Sequence, residues 1–148
     1  MALTADEISA VRTSFARVLP VKRSFGKDFY IGLFAAAPEA RDLFPAQMSR
    51  QRDKLVSMLA YVVKHLDDGE ALMDQALPLA RRHVGYGAEP VHYALVGEVL
   101  VQTLKSYGVD AAEEQAWRKA YGVLSGAMIA AAQDMPPRDE PKIETLTT

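Results

Sequence analysis

The apolar residues of this chain recur at helical spacing along most of its length, and this constrains the fold more than any other feature. In the first segment Ile8, Val11 and Phe15 follow one another at intervals of three and four residues. The same interval places Trp117 and Tyr121 on one face in the last segment. Such spacing indicates one buried face of an α-helix, whereas a half-buried strand alternates apolar and polar residues. Because alternating runs are absent, the sequence predicts an all-α protein.

Capping residues, prolines and glycines divide the helical pattern into segments. Thr4 followed by Glu7 is a capping-box signature, and Asp110 with Glu113 resembles another cap. Gly108 lies where the C-terminus of a helix favours glycine. The predicted segments are a helix from Thr4 to Leu19, a second from about Val21 to Ala37, a short helix from Pro38 to about Phe44, a long helix from Ser49 to Leu66, a stretch from Glu70 that is interrupted at Pro78 and resumes as a short segment bearing His83, a helix from Pro90 to Gly108, and a last helix from Asp110 to about Ala131.

Length and composition indicate one domain. A chain of 148 residues with 49% hydrophobic residues can bury a single core with space inside it for a cofactor. We expect residues 1–134 to form this domain. The segment 135–148 is rich in proline and charge, so we predict a disordered tail there.

Charge and cysteine content exclude several classes of function. The 17 basic and 19 acidic side chains are interspersed and give a formal net charge of -2. No basic stripe is available to neutralise phosphates, so nucleic acid is not expected as a partner. The absence of cysteine excludes disulfides, thiolate metal sites and a cysteine nucleophile. Because the sequence shows neither a leader peptide nor an apolar stretch of roughly 18 residues, we expect a cytoplasmic protein without a membrane span.

Three polar side chains fall on the apolar faces of different predicted helices. They are Tyr30, Gln51 and His83. Burying such a group costs about 1 to 3 kcal/mol unless it is hydrogen-bonded or coordinated. Each of the three could be an ordinary core residue with a partner of its own. Three of them on separate helices around one apolar space instead favour a ligand site in which His83 is a ligand.

A longer series of motifs is similar to one known family. The motifs are Asp28-Phe29-Tyr30-Ile31-Gly32-Leu33-Phe34, Pro38-Glu39, Leu43-Phe44, Gln51-Arg52, Leu55, Arg82-His83, His92-Tyr93, Val96-Gly97-Glu98, Ala116-Trp117 and Ala120-Tyr121-Gly122-Val123. On these motifs the chain resembles the bacterial single-domain globins and the globin domain of flavohaemoglobins. The resemblance covers nearly all of residues 4–134, in order and with consistent spacing.

The resemblance implies a globin fold, with helices packed around a pocket for haem b. His83 would be the proximal ligand, binding the iron through one ring nitrogen while the other donates a hydrogen bond that holds the ring. Lys54 would reach a haem propionate, although a solvated lysine is the more frequent situation for such a residue. The remaining cofactor-binding residues that the resemblance assigns are Phe44 against the haem face, Leu55 and Val96 in the pocket wall, and Tyr93 beside the proximal histidine.

The resemblance places Tyr30 and Gln51 on the opposite side of the haem, where dioxygen, nitric oxide and carbon monoxide bind. Bound dioxygen gains negative charge, and a phenol and an amide are donors to it. If each hydrogen bond contributes about 1 to 2 kcal/mol, the pair slows ligand release by roughly 10- to 1000-fold relative to an apolar pocket. We therefore expect tight oxygen binding under Tyr30 and Gln51.

Two departures from the flavohaemoglobins bear on activity. Tyr93 matches a residue that their globin domain pairs with the proximal histidine, but Ala132 stands where that domain has a glutamate. The resemblance therefore implies less electron donation to the iron than in those proteins. The flavin and nicotinamide reductase module has no counterpart in this sequence, so turnover would need electrons from a separate protein.

Three hypotheses about function stay open. The first is a haem globin that binds dioxygen tightly and converts nitric oxide and dioxygen to nitrate with an external reductase. The second is a haem-based gas sensor or interaction protein. The third is a globin-like helical scaffold without haem, which would have no use for Tyr30, Gln51 and His83 in combination.

Overall fold

A computed structural model describes residues 3–85 and 90–133 of the chain. These residues form α-helices and short 3-10 helices, and no strand occurs among them, which confirms the all-α prediction. The proposed tail at 135–148 lies outside the described residues. The helices are α1 (Ala5–Val18), α2 (Lys22–Ala36), α3 (Ser49–Lys64), α4 (Gly69–Gly85), α5 (Pro90–Ser106) and α6 (Ala111–Gln133), with 3-10 helices at Leu19–Val21 and Pro38–Leu43.

The predicted helix ends are present as hydrogen-bonded caps. The backbone N–H of Glu7 donates to Thr4 Oγ1 at 3.1 Å, and the N–H of Thr4 donates to Glu7 Oε1 at 2.7 Å. Asp110 and Glu113 make the same reciprocal pair before α6, at 3.1 and 2.8 Å. Gly108 follows α5 with φ of 94°, a left-handed conformation that favours glycine.

The prediction of a break at Pro78 is wrong, because α4 runs through it from Gly69 to Gly85. An internal proline removes one backbone hydrogen bond and costs roughly 3 kcal/mol in an isolated helix. Here Pro78 is exposed, whereas Ala76 and Ala80 on the opposite side are almost fully buried and belong to a cluster with Met128 of α6. Packing on α6 therefore holds the helix together across the proline.

The helices pack in two groups around two apolar clusters. The first group is α1, α2, α3, α5 and α6, in which α2 packs on both α3 and α5. Its large cluster includes Phe25, Phe29 and Trp117. Helix α4 packs chiefly on α6, through a smaller cluster that contains Ala80 and Met128. Consecutive helices α3 and α4 thus have different packing partners.

No helix within residues 3–85 and 90–133 is long and apolar enough to cross a membrane.

Helices α2 and α3 cross closely at a glycine. A Cβ added to Gly26 would lie 3.2 Å from Arg52 Cβ and 3.6 Å from the Arg52 carbonyl oxygen. Gly26 is buried on α2, four residues before Tyr30, and Arg52 follows Gln51 on α3. The missing side chain therefore sets how near α3 can bring Gln51 to Tyr30.

We expect Gly26→Ala to lower the free energy of unfolding by about 1 kcal/mol. Overpacking at such a contact costs about 1 to 3 kcal/mol, and the better helix propensity of alanine offsets about 1 kcal/mol of it. Gly122→Ala is the matched control, because Gly122 is exposed in α6 with no heavy atom within 4 Å of an added Cβ. Urea denaturation should show stabilisation for Gly122→Ala. Equal stabilisation of both variants would contradict the close crossing.

Candidate functional site

Tyr30 and Gln51 are brought together from two helices. The side-chain amide of Gln51 on α3 donates from Nε2 to the Tyr30 hydroxyl on α2 at 3.2 Å. Tyr30 is 6% exposed and Gln51 is half-buried. Burial raises the pKa of Tyr30, which keeps its phenol protonated at neutral pH. Because its oxygen accepts from Gln51, the phenol hydrogen is directed away from the amide and can be donated to another group.

Aromatic rings surround the Tyr30 phenol. The ring of Tyr30 lies 5.0 Å from that of Phe29, 5.9 Å from that of Phe34 and 5.7 Å from that of Phe44, measured between centroids. Arg41 fixes the corner that carries Phe44: its guanidinium donates to the Phe44 and Pro45 carbonyl oxygens at 3.3 and 3.0 Å. Among the described residues, the polar side chain that hydrogen-bonds to Tyr30 inside this aromatic wall is that of Gln51.

His83 is held by its own helix. Its Nδ1 lies 2.8 Å from the backbone carbonyl oxygen of Leu79, one turn earlier on α4. Burial lowers the pKa of His83, so the ring is neutral at pH 7. A carbonyl oxygen can only accept, so Nδ1 carries the proton and the lone pair is on Nε2. A neutral imidazole with one nitrogen fixed by a carbonyl is the form that binds a metal ion.

Tyr93 of α5 stacks on His83. The two rings have centroids 5.8 Å apart and an interplanar angle of 29°. Tyr93 is 8% exposed, and burial raises its pKa. The hydroxyl of Tyr121 on α6 donates to the Tyr93 backbone carbonyl oxygen at 2.7 Å. The proximal pair that the resemblance assigned is thus in ring contact, and α6 contacts it through the backbone.

The remaining predicted site residues lie on α3 and α5. Leu55 and Val96 are half-buried and, like Phe44, pack against the large cluster that includes Tyr30. Lys54 is half-buried on α3, three residues after Gln51. Contact of these side chains with a haem stays a prediction.

The residues present fit a metal ion that is already coordinated within a cofactor and needs few ligands from the protein. Across 3–85 and 90–133, no three His, Cys, Asp or Glu side chains are grouped to hold a bare metal ion. His83 offers a single neutral imidazole, and its helix packs through an apolar cluster. Haem would fit this donor set, because its apolar macrocycle supplies four nitrogen ligands and a single imidazole from the protein would add another.

Helix arrangement and buried polar groups together define an all-α protein with two candidate sets of site residues, Tyr30 with Gln51 and His83 with Tyr93. A family model described as Globin matches residues 27–128. The chain belongs to the globin family. This confirms the resemblance stated from the motifs, and family membership implies haem and diatomic gas ligands.

The chain is similar in sequence to proteins described as flavohemoproteins. It is 33% identical over 140 residues to one from Deinococcus radiodurans, covering 90% of this chain and 34% of that protein. It is 30% identical over 129 residues to one from Bordetella pertussis, covering 80% of this chain and 32% of that protein. The chain therefore spans about a third of the length of these relatives.

Two solved structures share the fold. A bacterial globin from Campylobacter jejuni has a TM-score of 0.79 at 22% identity, covering 88% of this chain and 96% of its own. An engineered carbene transferase from Rhodothermus marinus, provisionally assigned as a nitric oxide dioxygenase, has a TM-score of 0.79 at 27% identity, covering 89% of this chain and 94% of its own. The predicted globin fold is confirmed.

Three groups at the site had no predicted role. They are the Leu79 carbonyl, the Tyr121 hydroxyl and Gly97, over which the Tyr121 ring lies. A glycine inside a helical pattern is a sequence signal for close approach of another group, and Gly97 carried that signal. Which group approaches it depends on tertiary packing.

Proposed function

We propose that this chain is a haem protein that binds dioxygen and other diatomic gases, with residues 1–134 as its haem-binding domain. His83 is the proposed iron ligand, and Tyr30 and Gln51 are the proposed donors to the bound gas. The observation that carries the proposal is the Gln51 to Tyr30 hydrogen bond inside an aromatic wall. A buried phenol polarised by an amide suits a small ligand that gains negative charge.

The chain's own residues would perform distinct tasks around haem b. Bound haem b would supply an iron that binds diatomic gases and exchanges electrons with them. His83 would bind the iron through Nε2, because Nδ1 donates to the Leu79 carbonyl oxygen. Phe44, Leu55 and Val96 would exclude water, which strengthens the hydrogen bond that the Tyr30 phenol donates. Lys54 would pair with a propionate.

We further propose that the protein removes nitric oxide. In this reaction nitric oxide, dioxygen and one electron give nitrate, and a separate reductase would provide the electron. Support comes from similarity to proteins described as flavohemoproteins and to the engineered Rhodothermus marinus protein that is provisionally assigned as a nitric oxide dioxygenase. Tyr30 and Gln51 would retain dioxygen until nitric oxide arrives.

Reconstitution with haem tests both levels of the proposal. Purified protein with equimolar haem should give a Soret band and reversible dioxygen and carbon monoxide spectra. Mixing the oxygenated form with nitric oxide should give nitrate, and repeated turnover with a flavin reductase should follow. Absence of a Soret band would refute haem binding. A single turnover that cannot be repeated with any electron donor would refute the enzymatic role and leave a gas-binding protein.

A further inference from the structure

Arg41 holds a stretch of backbone that has no regular secondary structure. Residues 44–48 connect the second 3-10 helix to α3. The guanidinium donates to three consecutive carbonyl oxygens of this connection, those of Phe44 at 3.3 Å, Pro45 at 3.0 Å and Ala46 at 3.3 Å. Carbonyl groups outside helices and strands need partners of another kind. One side chain therefore supplies hydrogen bonds that a helix would supply through its own backbone.

The same guanidinium also contacts the aromatic wall around Tyr30. Its central carbon lies 5.2 Å from the centroid of the Phe34 ring. That ring is 5.6 Å from the ring of Phe44 and 5.9 Å from the ring of Tyr30, measured between centroids. Because a guanidinium is planar, it can lie over a ring while its N–H groups donate hydrogen bonds. Arg41 thus joins the backbone of the corner to α2.

The contacts of Arg41 are all with this wall. None of the ion pairs within residues 3–85 and 90–133 includes Arg41. Its partners are instead the three carbonyl oxygens and the Phe34 ring. A change at Arg41 should therefore act on the corner directly, because no carboxylate elsewhere in the described residues loses a partner.

The position of Phe44 decides how well Tyr30 is covered. Tyr30 is 6% exposed, and the Phe44 ring packs on it at 5.7 Å between centroids with an interplanar angle of 65°. If Phe44 moved away, water could reach the Tyr30 phenol. Water is a good hydrogen-bond acceptor and would compete for the phenol hydrogen.

We propose that Arg41 is a positioning residue for Phe44. It holds the Phe44 ring against Tyr30, so that the phenol hydrogen is kept for a bound gas and is not donated to water. This rests on the proposed role of Tyr30 as a donor to dioxygen. Lysine keeps the charge of arginine but lacks its planar set of donors, so the corner should need the geometry of arginine and not its charge alone.

Arg41→Lys tests the proposal. Full-length protein is reconstituted with haem, and the release of dioxygen and of carbon monoxide is measured by stopped flow. We expect dioxygen release to become about fivefold faster, the equivalent of one hydrogen bond, and carbon monoxide release to change far less. The infrared C–O stretching band of the carbonmonoxy form should shift, because it responds to polar groups beside the ligand. Unchanged dioxygen release together with an unshifted band would refute the proposal.

Arg12→Lys is the matched control. Arg12 also donates to backbone carbonyl oxygens, those of Val63 at 3.1 Å and Lys64 at 2.9 Å, but at the C-terminal end of α3. This variant should leave both release rates and the C–O band unchanged. Equal effects of Arg12→Lys and Arg41→Lys would show a general loss of stability and contradict a positioning role.

Phe34→Leu tests the contact of Arg41 with the aromatic wall. It removes the ring beneath the guanidinium and keeps an apolar side chain at that position. The double variant with Arg41→Lys should accelerate dioxygen release by less than the product of the two single effects, because both changes disrupt one contact. Fully multiplicative effects would contradict the coupling of Arg41 to this ring.

Failure of this proposal is distinguishable from failure of the proposed function. If the wild-type chain gives no Soret band, haem binding is refuted, and NMR of the unliganded full chain tests the positioning role instead. The ring protons of Phe44 are shifted by the rings beside them, so Arg41→Lys should move their resonances and Arg12→Lys should not. Unchanged Phe44 resonances in Arg41→Lys, or equal changes in both variants, would overturn the positioning role.

Discussion

Replacing His83 with glycine should raise the rate of haem loss by more than about 100-fold and abolish the iron–histidine vibration of the ferrous protein. Removing even an outer partner of a metal ligand costs 10- to 100-fold in affinity, and this change removes the proposed ligand itself. The glycine variant leaves space of the shape of the lost ring. Added imidazole should therefore restore the spectrum, as measured by Soret titration and resonance Raman.

His65→Gln is a closely matched control for this substitution. In the wild-type protein, His65 Nδ1 lies 2.9 Å from the Tyr61 carbonyl oxygen, one turn earlier. His65 therefore repeats the local geometry of His83 at the end of another helix. The ring of His65 also lies against a tyrosine, in a tilted arrangement with 4.2 Å between the centroids of His65 and Tyr61. Haem retention should be unchanged. Equal haem loss in both variants, or full retention by His83→Gly without imidazole, would refute His83 as the ligand.

Removing the two donors should accelerate release of dioxygen by roughly 10- to 1000-fold in the double variant Tyr30→Phe with Gln51→Leu. Each hydrogen bond accounts for about 1 to 2 kcal/mol of this change. Because the Gln51 amide donates to the Tyr30 hydroxyl, Tyr30→Phe removes the donor and also the acceptor of that amide. Tyr30→Phe should therefore have the larger single effect, measured by stopped-flow displacement of dioxygen with carbon monoxide.

Carbon monoxide is the internal control, because it gains little charge when bound and needs little hydrogen bonding. Its release rate should change far less than that of dioxygen in the same variants. Tyr61→Phe is the control variant: its phenol donates to the Ala71 carbonyl oxygen at 3.1 Å, at the other end of α3 from Gln51. Unchanged dioxygen release in Tyr30→Phe would refute the role given to that residue.

Helix positions and caps could be predicted because their causes are local. The reciprocal bonds of Thr4 with Glu7 form within one turn, and the sequence contains both partners. The break predicted at Pro78 was wrong because the cause of helix continuity there is not local. The local penalty of the proline is real, but Ala76 and Ala80 bury against α6, and that contact depends on residues far along the chain.

For the candidate site, the sequence could single out residues one by one but not the contacts between them. Tyr30 and Gln51 stood out as polar groups on apolar faces, and the structure joins them by a hydrogen bond. The same rule missed Ser14, which is fully buried and accepts from Trp117 Nε1 at 2.7 Å. Serine is small and frequent on helices, so its position alone gives no sign of a partner 103 residues away.

The apolar interior is divided into a large and a small cluster, so the helices of Tyr30 and His83 are held by different amounts of apolar packing. Tyr30 belongs to the large cluster, whereas the helix of His83 is fixed to the rest mainly through Ala76, Ala80 and Met128. Local opening of a protein begins where few apolar contacts must be broken, and a bound ligand stabilises the segment that it contacts. In the proposed haem protein, part of the binding energy of the cofactor would therefore go into ordering α4, and haem affinity would be linked to the local stability of this helix. A substitution at Ala76 or Ala80, where α4 packs on Met128 of α6, is then expected to change haem affinity through the stability of α4.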